Sequence, residues 1–533
     1  MTERANETEA HVRAVAAAGD PAHANKIAAA ALEKGLRHPA FHAARARWLQ
    51  LNDRHAEALN ELKAALALAP RDAGLFAATG ISLLNLNRPA KAIAAFDAAI
   101  LVAPAHAQMH YYKGCAHAAA GDLAAALSSH ERAIALQPDH VDALAALAAA
   151  AARGGDAARA RPFAERALRS APGHSTAAIA LVMCDLHDRD FHRAEKRLSA
   201  LLSELTTKDQ TRALALGLLG DALDGQNRTD AAFEAYAEKN RILEILYKTR
   251  FDGEARLLNR VERLIAELQE RAVTLPAHAA PAPSPARRHV FLLGFMRSGT
   301  TLLQQVFAAH PDVETLEERE TFAGLFNAGG ADIPERLARL SGEDIDRARE
   351  MYWERVRGFG AKPEGTVFLD KQPFNTLNLP LIAMLFPTAK IIFLVRDPRD
   401  VVLSCFRRHL EVKPTTFELL TLSGAARFYD RVMQLAEIYR AKLSLDVLEC
   451  RYEDVVADFE NRVRAICGFL EMPWNKAMRD FDRTARARTI RSVSSNQVRR
   501  GLYAEGAGQW RRYEKQLAPV FPVLQPWVER FGY

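Results

Sequence analysis

Uninterrupted apolar sequence is scarce in this chain. Hydrophobic residues make up 49% of its 533 positions, yet no run approaches the roughly 20 apolar residues that a membrane-spanning helix requires. The opening stretch MTERANETEAHVRAVAAAGD is acidic and polar and lacks the basic, apolar, small-residue order of a secretory signal, so a cytoplasmic protein is expected. Cysteine is equally sparse. Its five copies (Cys115, Cys184, Cys405, Cys450, Cys467) form no CxxC pair and have no His-rich neighbour, which argues against a zinc site or a disulfide framework and predicts buried, reduced thiols. An extreme charge is also missing: the net charge is +6 and the isoelectric point about 9.0. The many arginines of the C-terminal half suit an anionic nucleotide, and no nucleic-acid partner is expected.

Periodicity is what the chain has in abundance. Pro70, Pro104, Pro138 and Pro172 recur at a constant spacing of 34 residues, each closing a helical stretch such as ALALAP or AIALQP. The same period carries Ala58, Ala92, Ala126, Ala160 and Ala194, and beside them Leu62, Phe96, His130, Ala164 and Leu198. Small residues recur where two helices of a hairpin must approach closely, and larger apolar ones fill the stripe between them. His130 falls in that column and reads as a packed helix residue. The pattern resembles the tetratricopeptide repeat family over roughly residues 8–245. That resemblance implies an all-α solenoid whose concave surface receives a protein partner.

A charged amphipathic helix is expected over 246–272, after which PAHAAPAPSPARR breaks every pattern and acts as a spacer. Beyond it, HVFLLG, TVFLD, KIIFLV and DVLEC are strand candidates interleaved with helical stretches, the signature of a parallel α/β sheet. The expected organisation is a repeat solenoid over 1–245, a helix and Pro/Ala linker over 246–289, and a P-loop-like α/β domain over 290–533.

Chemistry concentrates in that last segment. HVFLLGFMRSGTTLLQQVF runs from a strand through a glycine-containing turn into a helix, which makes a cradle of backbone N–H groups for an anion. The GxxxxG frame of a nucleotide-binding loop is present, but Thr300 stands where a nucleoside triphosphatase carries its lysine. This disfavours an ATPase or a P-loop kinase. Arg297, Ser298, Gly299, Thr300 and Thr301 offer instead a guanidinium, hydroxyls and close backbone approach, suited to a phosphosulfate held without an obligatory metal. In KIIFLVRDPRDVVLSCFRRHL, Asp397 is a plausible N-cap and Pro398 a first helical residue, which puts Arg396 at a strand's carboxyl end.

These motifs, in this order, resemble the sulfotransferases that use 3'-phosphoadenosine-5'-phosphosulfate (PAPS), in particular repeat-bearing bacterial members related to protein-tyrosine sulfotransferases. Met296 stands where that family's loop usually has proline. The resemblance implies that Arg297 to Thr301 hold the 5'-phosphosulfate, that Arg396 and Ser404 hold the 3'-phosphate, and that Arg408, where the protein-tyrosine branch has a further arginine, also binds the nucleotide. It further implies that Tyr452 lies near the adenine, and that Arg499 or Arg500, in the closing loop SSNQVRRGLYAEGAGQWRRY, pairs with the 3'-phosphate. The catalytic set it implies is Glu318 as base, Lys371 at the bridging oxygen, and Ser494; Glu317 is the alternative base. The expected product nucleotide is adenosine 3',5'-bisphosphate. The expected acceptor is a tyrosine hydroxyl on a protein or peptide, with a carbohydrate or small-molecule hydroxyl as the alternative, and a repeat scaffold with a silent nucleotide-binding domain as the rival outside enzymology. His310 and His409 are bases by residue type, but their places beside a proline turn and at a helix end read as structural.

Overall fold

The computed structural model describes residues 2–251, 253, 256–270, 284–325, 337, 340–487 and 506–533. Two compact units divide the chain, Met1–Arg197 and Leu198–Tyr533.

The first unit is built of helical hairpins, among them Pro39–Leu51 with His55–Leu68, Ala73–Asn85 with Pro89–Val102, Ala107–Ala120 with Leu123–Leu136, and Val141–Arg153 with Ala157–Ser170. The periodic alanines Ala58, Ala92, Ala126 and Ala160 are all buried. Packing inside each hairpin is a matter of matched volumes. A Cβ added at Gly80 or Gly114 would collide with the ring of Phe96 or His130, whereas the next hairpin pairs Ala148 with Ala164. His130 is therefore a packed helix residue, and burial pushes its imidazole down to about 4.

Two further columns keep the 34-residue register. Gly19, Asp53, Asn87, Gly121, Gly155 and Arg189 all have positive φ and end the first helix of their hairpin in a left-handed turn. His38, Asp72, His140 and His174 are N-caps whose side chains accept a backbone N–H from the first turn of the next helix. The four periodic prolines sit two residues past the end of each hairpin's second helix, where no further helical N–H is required.

The second unit holds five parallel strands in the order β2-β3-β1-β4-β5. They are β1 Arg288–Gly294, β2 Val313–Glu317, β3 Val367–Lys371, β4 Lys390–Val395 and β5 Asp446–Arg451. Alternation along β1 and β4 divides the core between two faces. Phe291, Leu293, Ile391 and Phe393 pack with the helix Leu422–Lys442, and Val290, Leu292, Ile392 and Leu394 pack with the helix Thr300–Ala308. Four strands coincide with the sequence candidates. The fifth, β2, is not among those candidates: Val313 and Leu316 are buried, and the strand pairs with β3 in register Glu317↔Lys371. Glu314 accepts the Lys362 backbone N–H at 3.1 Å from this edge strand.

From β1 the chain crosses to β2 and returns through β3, while from β4 it continues the other way to β5. The reversal makes the β1/β4 boundary a topological switch point, with a crevice beyond the strands' carboxyl ends.

The helices Gln210–Gly225 and Thr229–Phe251 belong to this second unit, although they repeat the hairpin device, Gly220 lying beneath the Tyr236 ring. Helix Thr229–Phe251 runs on to 251, and a separate helix, Leu257–Glu270, follows. Its buried stripe of Leu258, Val261, Leu264, Ile265 and Leu268 joins the main core, and its first turn is held by Glu418, which accepts from Leu258 N at 3.0 Å. All five cysteines are thiols; Cys184, Cys405 and Cys467 are buried, while Cys115 and Cys450 are half-buried rather than fully so. No helix among the described residues is long and apolar enough to cross a membrane.

Candidate active site

The loop Phe295–Gly299 leaves β1 at the switch point. A Cβ on Gly294, whose φ is +144°, would run into the Leu394 carbonyl of β4, so only glycine allows the turn there. Gly299, at φ +97°, lies flat against the Tyr452 ring and starts the helix Thr300–Ala308, whose first N–H groups face the loop. Arg297 itself is left-handed, at φ +72°, a conformation that an arginine holds only when its surroundings require it. Ser298, Thr300 and Thr301 are buried beside it.

Across the crevice β4 ends at Arg396, and Asp397 caps the helix Pro398–Arg407 through Arg399 N at 3.0 Å, as the sequence suggests. The two motifs meet directly. Arg297 Nε donates to Ser404 Oγ at 3.0 Å, and Arg396 Nη1 donates to the Arg297 carbonyl at 2.9 Å. Arg396 also donates to the Gly506 carbonyl, lies over the Tyr452 ring at 5.1 Å, and keeps a buried Nε without a partner among the described residues. Burial first, and then the charges of Arg408 and Arg396, push the Arg297 guanidinium down to about 9. Two guanidinium groups drawn from separate motifs thus meet at this turn, where a bound anion would be favoured.

On the other side of the loop, Lys371 ends β3 fully buried. Its Nζ donates to Glu318 Oε1 at 2.6 Å and to Thr301 Oγ1 at 3.4 Å, and lies 3.8 Å from Glu317 Oε1. Both carboxylates therefore face one ammonium. Glu318, left-handed at φ +46° with its N–H donating to the Lys371 carbonyl, is 37% exposed; Glu317 is 12% exposed. Tyr452 is wedged between Gly299, Arg396 and Gly506. Ser494, Arg499 and Arg500 lie outside the described residues. His310 is buried, its Nε2 at 3.1 Å from the Pro473 carbonyl, and burial pushes His409 down to about 4.

Residues 289–476 match the sequence model of the sulfotransferase family. The chain carries a sulfotransferase domain. Ahead of it, 78–133 and 113–175 match the tetratricopeptide repeat. An uncharacterized protein of Aquifex aeolicus is 28% identical over 344 residues, which are 62% of this chain and 43% of the relative, so the chain spans under half of that protein. Protein-tyrosine sulfotransferase 1 of Danio rerio is 25% identical over 257 residues, 46% of this chain and 72% of the relative. A solved sulfotransferase domain from the Synechococcus PCC 7002 olefin synthase aligns over 45% of this chain and 91% of its own, at 21% identity and a TM-score of 0.31.

Two residues of the sulfotransferase domain escaped the sequence reading. Asp400 accepts the backbone N–H groups of Gly508 at 2.6 Å and Trp510 at 2.8 Å, tying the C-terminal segment to the Arg396 turn. Its signal was present, as the second acid of RDPRD, but its partners lie more than 100 residues away. Asp370, next to Lys371, is fully buried and receives Tyr352 Oη at 2.8 Å and Thr321 Oγ1 at 3.0 Å. Burial pushes its carboxyl up to about 6, despite both hydrogen bonds.

Proposed function

We propose that this chain is a PAPS-dependent sulfotransferase that sulfates a hydroxyl, with a protein or peptide tyrosine as acceptor. One observation carries the donor half: Arg297 and Arg396, from separate motifs, share a crevice at the β1/β4 switch point in a loop without the Walker lysine. Hydroxyls of Ser298, Thr300 and Thr301 and the helix start suit the 5'-phosphosulfate; Arg396, Ser404 and Arg408 suit the 3'-phosphate, with Arg499 or Arg500 and Tyr452 completing the nucleotide site. No residue in this scheme calls for a metal.

In the transfer, the acceptor oxygen attacks sulfur in line and the bond from sulfur to the bridging oxygen breaks. A sulfate ester forms and adenosine 3',5'-bisphosphate leaves with that oxygen. Glu318 takes the acceptor proton, its exposure favouring it over Glu317. Lys371, already buried between Glu318 and Thr301, offsets the charge that develops on the departing phosphate, and Ser494 completes the set. Kinship with proteins named protein-tyrosine sulfotransferases supports the tyrosine acceptor, and the repeat unit suits a protein partner.

The test is transfer from radiolabelled PAPS to a panel of tyrosine peptides, oligosaccharides and small phenols. Label on peptide tyrosine is the expected result. Label confined to sugars or small molecules moves the acceptor, and tight binding of the bisphosphate with no transfer to any member overturns the enzyme reading.

A further inference from the structure

Lys239, on the helix Thr229–Phe251, is fully buried, and its ammonium is spent on backbone. Nζ donates to three successive carbonyls, Phe406 at 3.0 Å, Arg407 at 3.0 Å and Arg408 at 2.9 Å. Asn240 adds a fourth donor to the Phe406 carbonyl at 3.0 Å. Those carbonyls close the helix Pro398–Arg407, after which Arg408 turns to extended backbone. An ordinary helix end needs only water or a glycine turn for its last carbonyls. A buried ammonium is a costly substitute, and burial pushes this one down to about 7, with Arg408 and Arg407 adding to the effect and Asp221 opposing it. What four convergent donors provide is a single fixed path for residues 406–408.

That path matters because the same helix carries Ser404, bonded to Arg297, and ends at Arg408. The hairpin grips it twice more: Phe233 stacks on Phe406 at 5.0 Å, and Asp224 receives Arg407 at 2.5 Å. We propose that Lys239, with Asn240, is a positioning residue for the 3'-phosphate end of the donor site, so that the hairpin spanning 210–251 is a working part of the sulfotransferase unit. The inference rests on the donor reading given above.

Calorimetry on the full chain tests it, with adenosine 3',5'-bisphosphate and AMP as the probes. Wild type is expected to prefer the bisphosphate. Lys239→Met is expected to weaken the bisphosphate by about tenfold or more while AMP changes less than twofold, so the 3'-phosphate preference collapses. Asn240→Leu, which removes one donor of four, shifts the ratio the same way by a smaller factor and serves if Lys239→Met does not fold. A parallel loss for both nucleotides, or an unchanged ratio in both variants, overturns the inference. Wild type showing no preference for the bisphosphate instead overturns the donor reading on which it stands.

Discussion

The function proposed for this chain depends on where a few charged side chains are forced to sit. Arg396 donates to the Arg297 carbonyl, and burial with the neighbouring guanidinium charges pushes the Arg297 guanidinium down to about 9, an arrangement that a bound anion would stabilise. Removing either guanidinium, as Arg297→Ala or Arg396→Ala, is expected to weaken adenosine 3',5'-bisphosphate binding by about 10- to 100-fold or more, the worth of a charge-assisted hydrogen-bond set. Glu318→Gln keeps the ligand cradle and is expected to bind the nucleotide normally while transfer falls by about 100- to 10,000-fold. Isothermal titration paired with a PAPS turnover assay separates the two outcomes, and undiminished turnover in Glu318→Gln would pass the base role to Glu317. At this scale the sequence was informative wherever a residue's neighbours are local. The strand–turn–helix strings around Arg297 and Arg396 announce their own geometry, and Asp397 caps its helix two residues on. Asp370 and Asp400 were opaque, because the groups that satisfy them come from Tyr352 and Thr321 and from residues 508–510.

Among the elements, the repeat hairpins show how one period can tolerate several volumes. Glycine faces a ring at Gly80/Phe96 and Gly114/His130, and alanine faces alanine at Ala148/Ala164, so a ring on one helix is accommodated by the absence of a side chain on the other. Gly114→Ala is expected to destabilise the protein by about 1–3 kcal/mol through overpacking against His130. Adding His130→Ala recreates the Ala148/Ala164 pairing and is expected to recover most of that loss. Urea melts of the single and double variants give the coupling, and additive effects would show that the two positions do not share their space. Proline and alanine columns were legible because they repeat. The left-handed column that contains Asp53, Asn87 and Arg189 was not, since only some of its members are glycine, and backbone handedness leaves little trace in residue type when a helix end imposes it. β2 was missed for a related reason: five residues with two acids look solvated until pairing with β3 puts Val313 into the core on one face of the sheet and Leu316 into the core on the other.

For the molecule as a whole, binding and stability are linked. A ligand that occupies the cradle in the folded chain alone raises stability by about 2.7 kcal/mol at a hundred times its dissociation constant. Thermal melts are expected to show stabilisation by adenosine 3',5'-bisphosphate greater than by ATP with magnesium, since Thr300 replaces the lysine that a triphosphate needs; equal or larger stabilisation by ATP would sink the sulfotransferase assignment. The sequence by itself determined the two architectures, the repeat period, the phosphate loop and the second arginine motif, because each is written in contiguous residues whose periodicity or turn chemistry is local. Only the tertiary structure decided that Arg297 meets Ser404 and Arg396, that Glu318 and Glu317 share Lys371, and that the hairpin at 210–251 grips the Ser404 helix through Lys239. Those contacts join residues tens to more than 160 positions apart, and it is burial, which no short stretch of sequence sets alone, that brings them together.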